Sequence, residues 1–139
     1  MTNTCACGSV TVSLKQKPEY IYDCDCSLCR KSGAAWGYFA SDDVTTVGRT
    51  MTFARSDKVV PIVEIHSCAV CGSTTHFTLT DAYQEEHPDL DQVGVNMRLF
   101  DAGLLDGVEV QYPNGREWSG DGPFGFRRKP TRLSSENPW

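Results

Sequence analysis

Hydrophobic and polar residues alternate most cleanly near the N-terminus, where Val10, Val12 and Leu14 interleave with Ser9, Thr11 and Ser13. A period of two puts the aliphatics on one face of an extended segment, so the pattern predicts a half-buried strand. Shorter β-prone stretches follow at Tyr20 to Tyr22, Trp36 to Ala40, Val59 to Ile65, Thr75 to Thr80, Gln92 to Met97 and Val108 to Gln111. Gly, Asp, Asn or Pro punctuates most of them, as turns require. No stretch sustains a period near 3.6, so the expected class is all-β, with irregular antiparallel strands and any helix as short as Ser27 to Lys31. The loop from Asp81 to Asp91 is acidic. From Gly120 onward Gly, Pro, Ser and basic residues predominate, too polar a composition to order itself independently. The expectation is one domain over residues 1–119 and a tail over 120–139, either flexible or docked.

The chain has 139 residues, about one domain's length, and a hydrophobic fraction of 40% spread in short runs. A single thin core is expected. No segment approaches the roughly 18 apolar residues of a membrane span, and the aliphatic run Val59 to Val63 is broken by Pro61. Met1 to Leu14 lacks the basic and apolar regions of a secretion signal, so a cytoplasmic location is expected. A formal charge of −5 opposes nucleic-acid binding, which needs a basic surface to displace counterions from phosphate. Arg127, Arg128, Lys129 and Arg132 nevertheless make the tail locally basic.

Cysteine changes the picture most. Seven are present, grouped as C-x-C at Cys5 and Cys7, C-x-C-x-x-C at Cys24, Cys26 and Cys29, and C-x-x-C at Cys68 and Cys71. In a reducing compartment such groups are metal ligands rather than disulfides. Zinc binds thiolates tetrahedrally, and paired cysteines deliver two ligands from one short segment. Cys71-Gly72 and Cys7-Gly8 each follow the pair with a residue that tolerates positive φ, allowing a knuckle beneath the sulfurs. The two pairs make a closed set, Cys5, Cys7, Cys68 and Cys71, expected to be structural.

Cys24, Cys26 and Cys29 leave a fourth position open unless Asp23, Asp25 or His66 fills it, and an open position is where chemistry takes place. Thiolates also suit iron–sulfur clusters and copper, although geometry and availability favour zinc. Arg30 and Lys31 either offset the charge of the three thiolates or form a solvated pair. Trp36, Tyr38 and Phe39 either wall a substrate pocket or fill the core. His66 and His76 carry no assigned role.

These residues resemble a family. Cys5-Ala6-Cys7-Gly8, Cys24 to Ala34 (CDCSLCRKSGA) and Cys68-Ala69-Val70-Cys71-Gly72-Ser73 are similar, over roughly residues 4 to 110, to the glutathione-dependent formaldehyde-activating enzymes, also called the centromere-protein-V/Gfa domain. The resemblance implies an Mss4-like fold, a coil of antiparallel strands around a structural zinc. It further implies two zinc ions per chain: a structural one on Cys5, Cys7, Cys68 and Cys71, and a catalytic one on Cys24, Cys26 and Cys29. The implied activity is that of a carbon–sulfur lyase joining formaldehyde to a small thiol such as glutathione; by charge, Arg30, Lys31 and the tail arginines are the candidates to hold its carboxylates. Two readings compete with it. One is a non-catalytic zinc module for a protein partner or metal storage; the other is metal-free thiol chemistry at Cys26 or Cys29.

Overall fold

The computed structural model describes residues 1–139. Strands β1 (Thr2–Thr4), β2 (Thr11–Leu14) and β3 (Tyr20–Tyr22) precede helix α1 (Ser27–Ser32) and β4 (Trp36–Phe39). A 3-10 turn at Ser41–Asp43 leads into β5 (Val44–Val47), β6 (Thr50–Ala54), β7 (Val63–Cys68) and β8 (Thr74–Leu79). Helix α2 (Asp81–Glu86), β9 (Val93–Asn96), a second 3-10 turn at Met97–Leu99, β10 (Glu109–Pro113) and β11 (Phe126–Arg132) complete the chain. The protein is mostly β, as the alternation predicts. It divides into two compact units, residues 1–16 with 38–95, and residues 17–37 with 96–139.

In the first unit β2 pairs antiparallel with β1 on one side and β5 on the other. Val10, Val12 and Leu14 are all buried, so the predicted face is the inward one. The strands β9, β8, β7 and β6 follow one another in antiparallel order, burying Ile65, Phe77 and Val95. Gly94 is required at its place because a Cβ there would lie 1.9 Å from the Phe77 ring. The strand expected from Val59 starts instead at Val63. Pro61 has no N–H to give a ladder, and Val59 is fully exposed.

The acidic segment after Thr80 is partly helical rather than a loop. Thr80 Oγ1 accepts from Tyr83 N at 3.2 Å and donates to Pro61 O at 2.6 Å, which caps α2 and anchors it.

In the second unit the order is β11-β10-β3-β4. Both outer pairings are antiparallel, but β3 and β10 run parallel, Glu109 opposite Tyr20 and Gln111 opposite Tyr22. Parallel neighbours need a long crossover, and the 86 residues between Tyr22 and Glu109 provide it. Ile21, Trp36, Met97, Phe100, Leu105, Val110 and Leu133 are buried there. Residues 126–132 pair with β10, and Leu133 N donates to Val108 O at 3.0 Å.

Candidate metal centres

Each cysteine pair of the first unit sits in the turn of an antiparallel hairpin. Cys5 and Cys7 lie between β1 and β2; Cys68 closes β7 and Cys71 precedes β8. The turns are built alike. Gly8 N donates to Cys5 O at 3.0 Å and Gly72 N to Cys68 O at 2.9 Å, and both glycines adopt positive φ, 80° and 76°. Backbone amides then point at sulfur: Val10 N at Cys5 Sγ (3.2 Å) and Val70 N at Cys68 Sγ (3.4 Å). Ser73 links the knuckles, its Oγ 3.2 Å from Cys71 Sγ while accepting from Ala6 N at 3.3 Å. That hydroxyl holds the Cys71 thiol down at about 5.

All four sulfurs lie within 4.8 Å of one another, with Cys5 to Cys7 at 3.6 Å and Cys7 to Cys68 at 3.7 Å. A tetrahedron with ligands about 2.3 Å from its centre has edges of about 3.8 Å, so the set has the dimensions of a single zinc ion. These separations are far beyond a disulfide bond of about 2.05 Å, and all seven cysteines are free thiols.

Cys24, Cys26 and Cys29 form the second group, again within 4.8 Å of one another, in the second unit. Cys24 follows β3, Cys26 caps α1, and Cys29 lies in that helix. Their mutual hydrogen bonding divides the charge unequally: the Cys24 and Cys29 thiols pull Cys26 down to about 2, and the same pairing pushes both partners up. A shared proton set of this kind is what a cation displaces on binding. The fit extends to the backbone, since a Cβ on Gly115 would lie 2.2 Å from Cys24 Sγ and 3.1 Å from Cys26 Cβ.

No histidine or carboxylate joins the trio as a fourth donor within that distance. The three residues proposed from the sequence are engaged elsewhere. Asp25 Oδ1 accepts from Arg116 N at 3.0 Å, and Asp23 accepts from Arg98 at 2.9 Å and Arg127 at 3.4 Å. His66, in the first unit, has Nδ1 and Nε2 each 3.1 Å from a threonine hydroxyl, on Thr50 and Thr78.

Arg30 and Lys31 are exposed in the last turn of α1. The tail arginines are committed to the fold: Arg127 Nη1 donates to Asp23 O at 2.6 Å and Pro113 O at 2.9 Å. Arg128 lies 3.7 Å over the Tyr112 ring, and Arg132 donates to Gly107 O at 2.9 Å. Phe39 is core in the first unit, and Tyr38 meets Phe77 edge to face at 6.1 Å. Trp36 is buried in the second unit and donates its indole N–H to Cys29 Sγ at 3.3 Å. Sequence reasoning missed that contact, as it missed the pairing of Asp23 with Arg98 and Arg127 and the place of Gly115, none of which has a local motif.

A mostly β frame holding two cysteine clusters of metal-site dimensions defines a β protein with two sites that could bind metal. The chain belongs to the glutathione-dependent formaldehyde-activating enzyme family, whose model matches residues 1–114, and its fold is Mss4-like. A Rhodobacter sphaeroides protein of known crystal structure is similar in fold, with a TM-score of 0.55 and 24% identity over 72% of this chain and 87% of that one. None of the curated proteins matches the chain. No helix is long and apolar enough to cross a membrane.

Proposed function

We propose that the trio of Cys24, Cys26 and Cys29 holds a catalytic zinc ion and that the chain activates a small thiol, glutathione being the family's example, for addition to formaldehyde or a related carbonyl. The observation that carries this reading is the asymmetry between the clusters: four sulfurs in one, three and no fourth donor in the other. Cys5, Cys7, Cys68 and Cys71 then serve as the structural site. A zinc ion at the trio supplies a Lewis-acidic position where a thiol ionises near neutral pH.

The protein's own residues do the rest by position. Cys24 is held just after β3, Cys26 caps α1 and Cys29 lies within it, so the local chain fixes all three sulfurs. Buried Trp36 lies against Cys29 and keeps water from that side of the cluster. The ionised substrate sulfur attacks the carbonyl carbon, forming the C–S bond as the C=O π pair moves to oxygen. That oxygen takes a proton from solvent, and the proton lost by the thiol balances it. Free thiols throughout suit a reducing compartment such as the cytoplasm.

The test is metal content together with the rate of adduct formation between glutathione and formaldehyde, corrected for the spontaneous reaction, in wild type and Cys26→Ser. Two zinc ions and enhancement in wild type, with one zinc and no enhancement in the variant, support the reading. One tight zinc and no enhancement in wild type would leave a non-catalytic zinc module.

A further inference from the structure

Each sulfur of the trio receives at least one N–H. Cys26 N points at Cys24 Sγ (3.5 Å), Cys29 N at Cys26 Sγ (3.4 Å) and Trp36 Nε1 at Cys29 Sγ (3.3 Å). Two of these donors belong to the backbone and come with the turn into α1. The third is a side chain, placed seven residues beyond its acceptor, and so is a separate feature of the sequence.

We propose that Trp36 is a positioning residue: its indole N–H fixes the Cys29 sulfur in place and sets how readily the trio's metal centre accepts an incoming thiol. This rests on the functional reading above.

The indole has little freedom to do anything else. Trp36 is 3% exposed at the start of β4, paired with Tyr22. The backbone leading to it is held on both sides: Ala35 N donates to Asn96 Oδ1 at 3.2 Å and Ala35 O accepts from Met97 N at 2.8 Å. An indole nitrogen can only donate, so the direction of this bond is fixed without any choice of tautomer. Burying that N–H requires a partner, and here the partner is sulfur, an acceptor that is weak as a thiol and strong as a thiolate. The bond therefore strengthens when Cys29 becomes a metal ligand.

The consequence is electrostatic. Three thiolates around a dication leave one net negative charge, and a fourth thiolate makes two. A donor aimed at Cys29 draws off part of that charge and reduces the repulsion an incoming thiolate meets. Partners of this outer kind typically change metal-site affinity or activity by about 10- to 100-fold when removed.

The experiment compares wild type with Trp36→Phe, which keeps an aromatic ring and removes the N–H, after loading both with cobalt(II). The titrant is 2-mercaptoethanol. The proposal expects weaker thiol binding by about ten-fold or more. It also expects the sulfur-to-cobalt charge-transfer band to move to lower energy, because a thiolate without its hydrogen bond gives up an electron more easily. A packing role alone leaves that band in place. Equal thiol affinity with an unmoved band overturns the role of Trp36 and leaves the functional reading standing. No thiol uptake by wild type overturns that reading, and with it the proposal.

If Trp36→Phe does not fold, wild type loaded with cadmium-113 answers instead. The Trp36 indole proton, assigned with Trp118→Phe and Trp139→Phe, should show coupling to cadmium through the sulfur. A sharp, uncoupled resonance overturns the proposal.

Discussion

His66 stacks on His76 across β7 and β8, with ring centroids 4.1 Å apart and planes 17° apart. Burial pushes both imidazoles down, with Glu64 opposing the effect at His66, and His76 reaches about 4 through burial and then the neighbouring His66 charge. Two stacked rings in such a place favour the neutral pair. The unfolded chain protonates His76 near its ordinary 6.5 while the folded chain resists until about pH 4. Stability from this group is therefore complete above pH 6.5 and is lost as pH falls toward 4, by about 3 kcal/mol. Chemical denaturation of the metal-loaded protein between pH 7 and 4 checks this. The gap between wild type and His76→Gln should shift by that amount, whereas a constant gap contradicts it. Subtraction removes the thiol ligands' own pH dependence.

The two clusters are expected to fail differently. Cys68 is wholly buried where β7 ends, and its loss breaks a closed four-sulfur set that ties two hairpins together. Cys68→Ser should cost several kcal/mol, well above the roughly 1 kcal/mol typical of a point substitution. Cys26→Ser should leave a cooperatively folded protein with one zinc fewer. Thermal unfolding combined with metal analysis separates the two outcomes; equal destabilisation by both would argue against distinct roles.

Gly115 should not tolerate even a methyl group. Its Cβ would fall 2.2 Å from Cys24 Sγ, so either the sulfur or the loop must move. Gly115→Ala is expected to destabilise by about 1–3 kcal/mol and to release metal from the trio while the four-cysteine site keeps its own. Cobalt or cadmium titration counts the sites that remain. Full retention of both would show that the loop simply shifts aside.

Asp23 links three parts of the second unit. Its carboxylate pairs with Arg98 and Arg127, and its carbonyl accepts from Arg127, immediately before the first cysteine of the trio. Because these groups are partly exposed, each ion pair contributes only about 0–1 kcal/mol. The two backbone carbonyls that Arg127 satisfies add to its role. Arg127→Ala should therefore cost only about 1–2 kcal/mol globally, yet free the segment around β11. Hydrogen exchange should show faster exchange at β11 amides than at β7 or β8. Unchanged protection at β11 would mean that the ladder to β10 suffices without the arginine.

The cysteine groups were legible in the sequence because a knuckle is local. Two sulfurs converge when a short turn joins two strands, and Cys5-x-Cys7-Gly8 and Cys68-x-x-Cys71-Gly72 carry both the ligands and the residue that permits the turn. Strand β2 was legible for the same reason, since alternation over a few residues is enough to define a face. The helix at Ser27–Ser32 was anticipated almost to its ends.

Strands β1, β5, β6 and β11 were not anticipated, because what makes them strands is the neighbour that pairs with them rather than their own pattern. Helix α2 depends on Thr80 reaching Pro61, a contact 19 residues back. The parallel pairing of β3 with β10 has no local signal at all. By itself the sequence determined which sulfurs travel together and which face of β2 turns inward, since spacing and periodicity are properties of neighbours along a chain. Only the tertiary structure decided that the trio has no fourth donor, that Asp23 and Asp25 bind arginine groups instead, and that Trp36 meets Cys29. Those facts depend on where distant segments come to rest, and packing and hydrogen bonding across the fold set that.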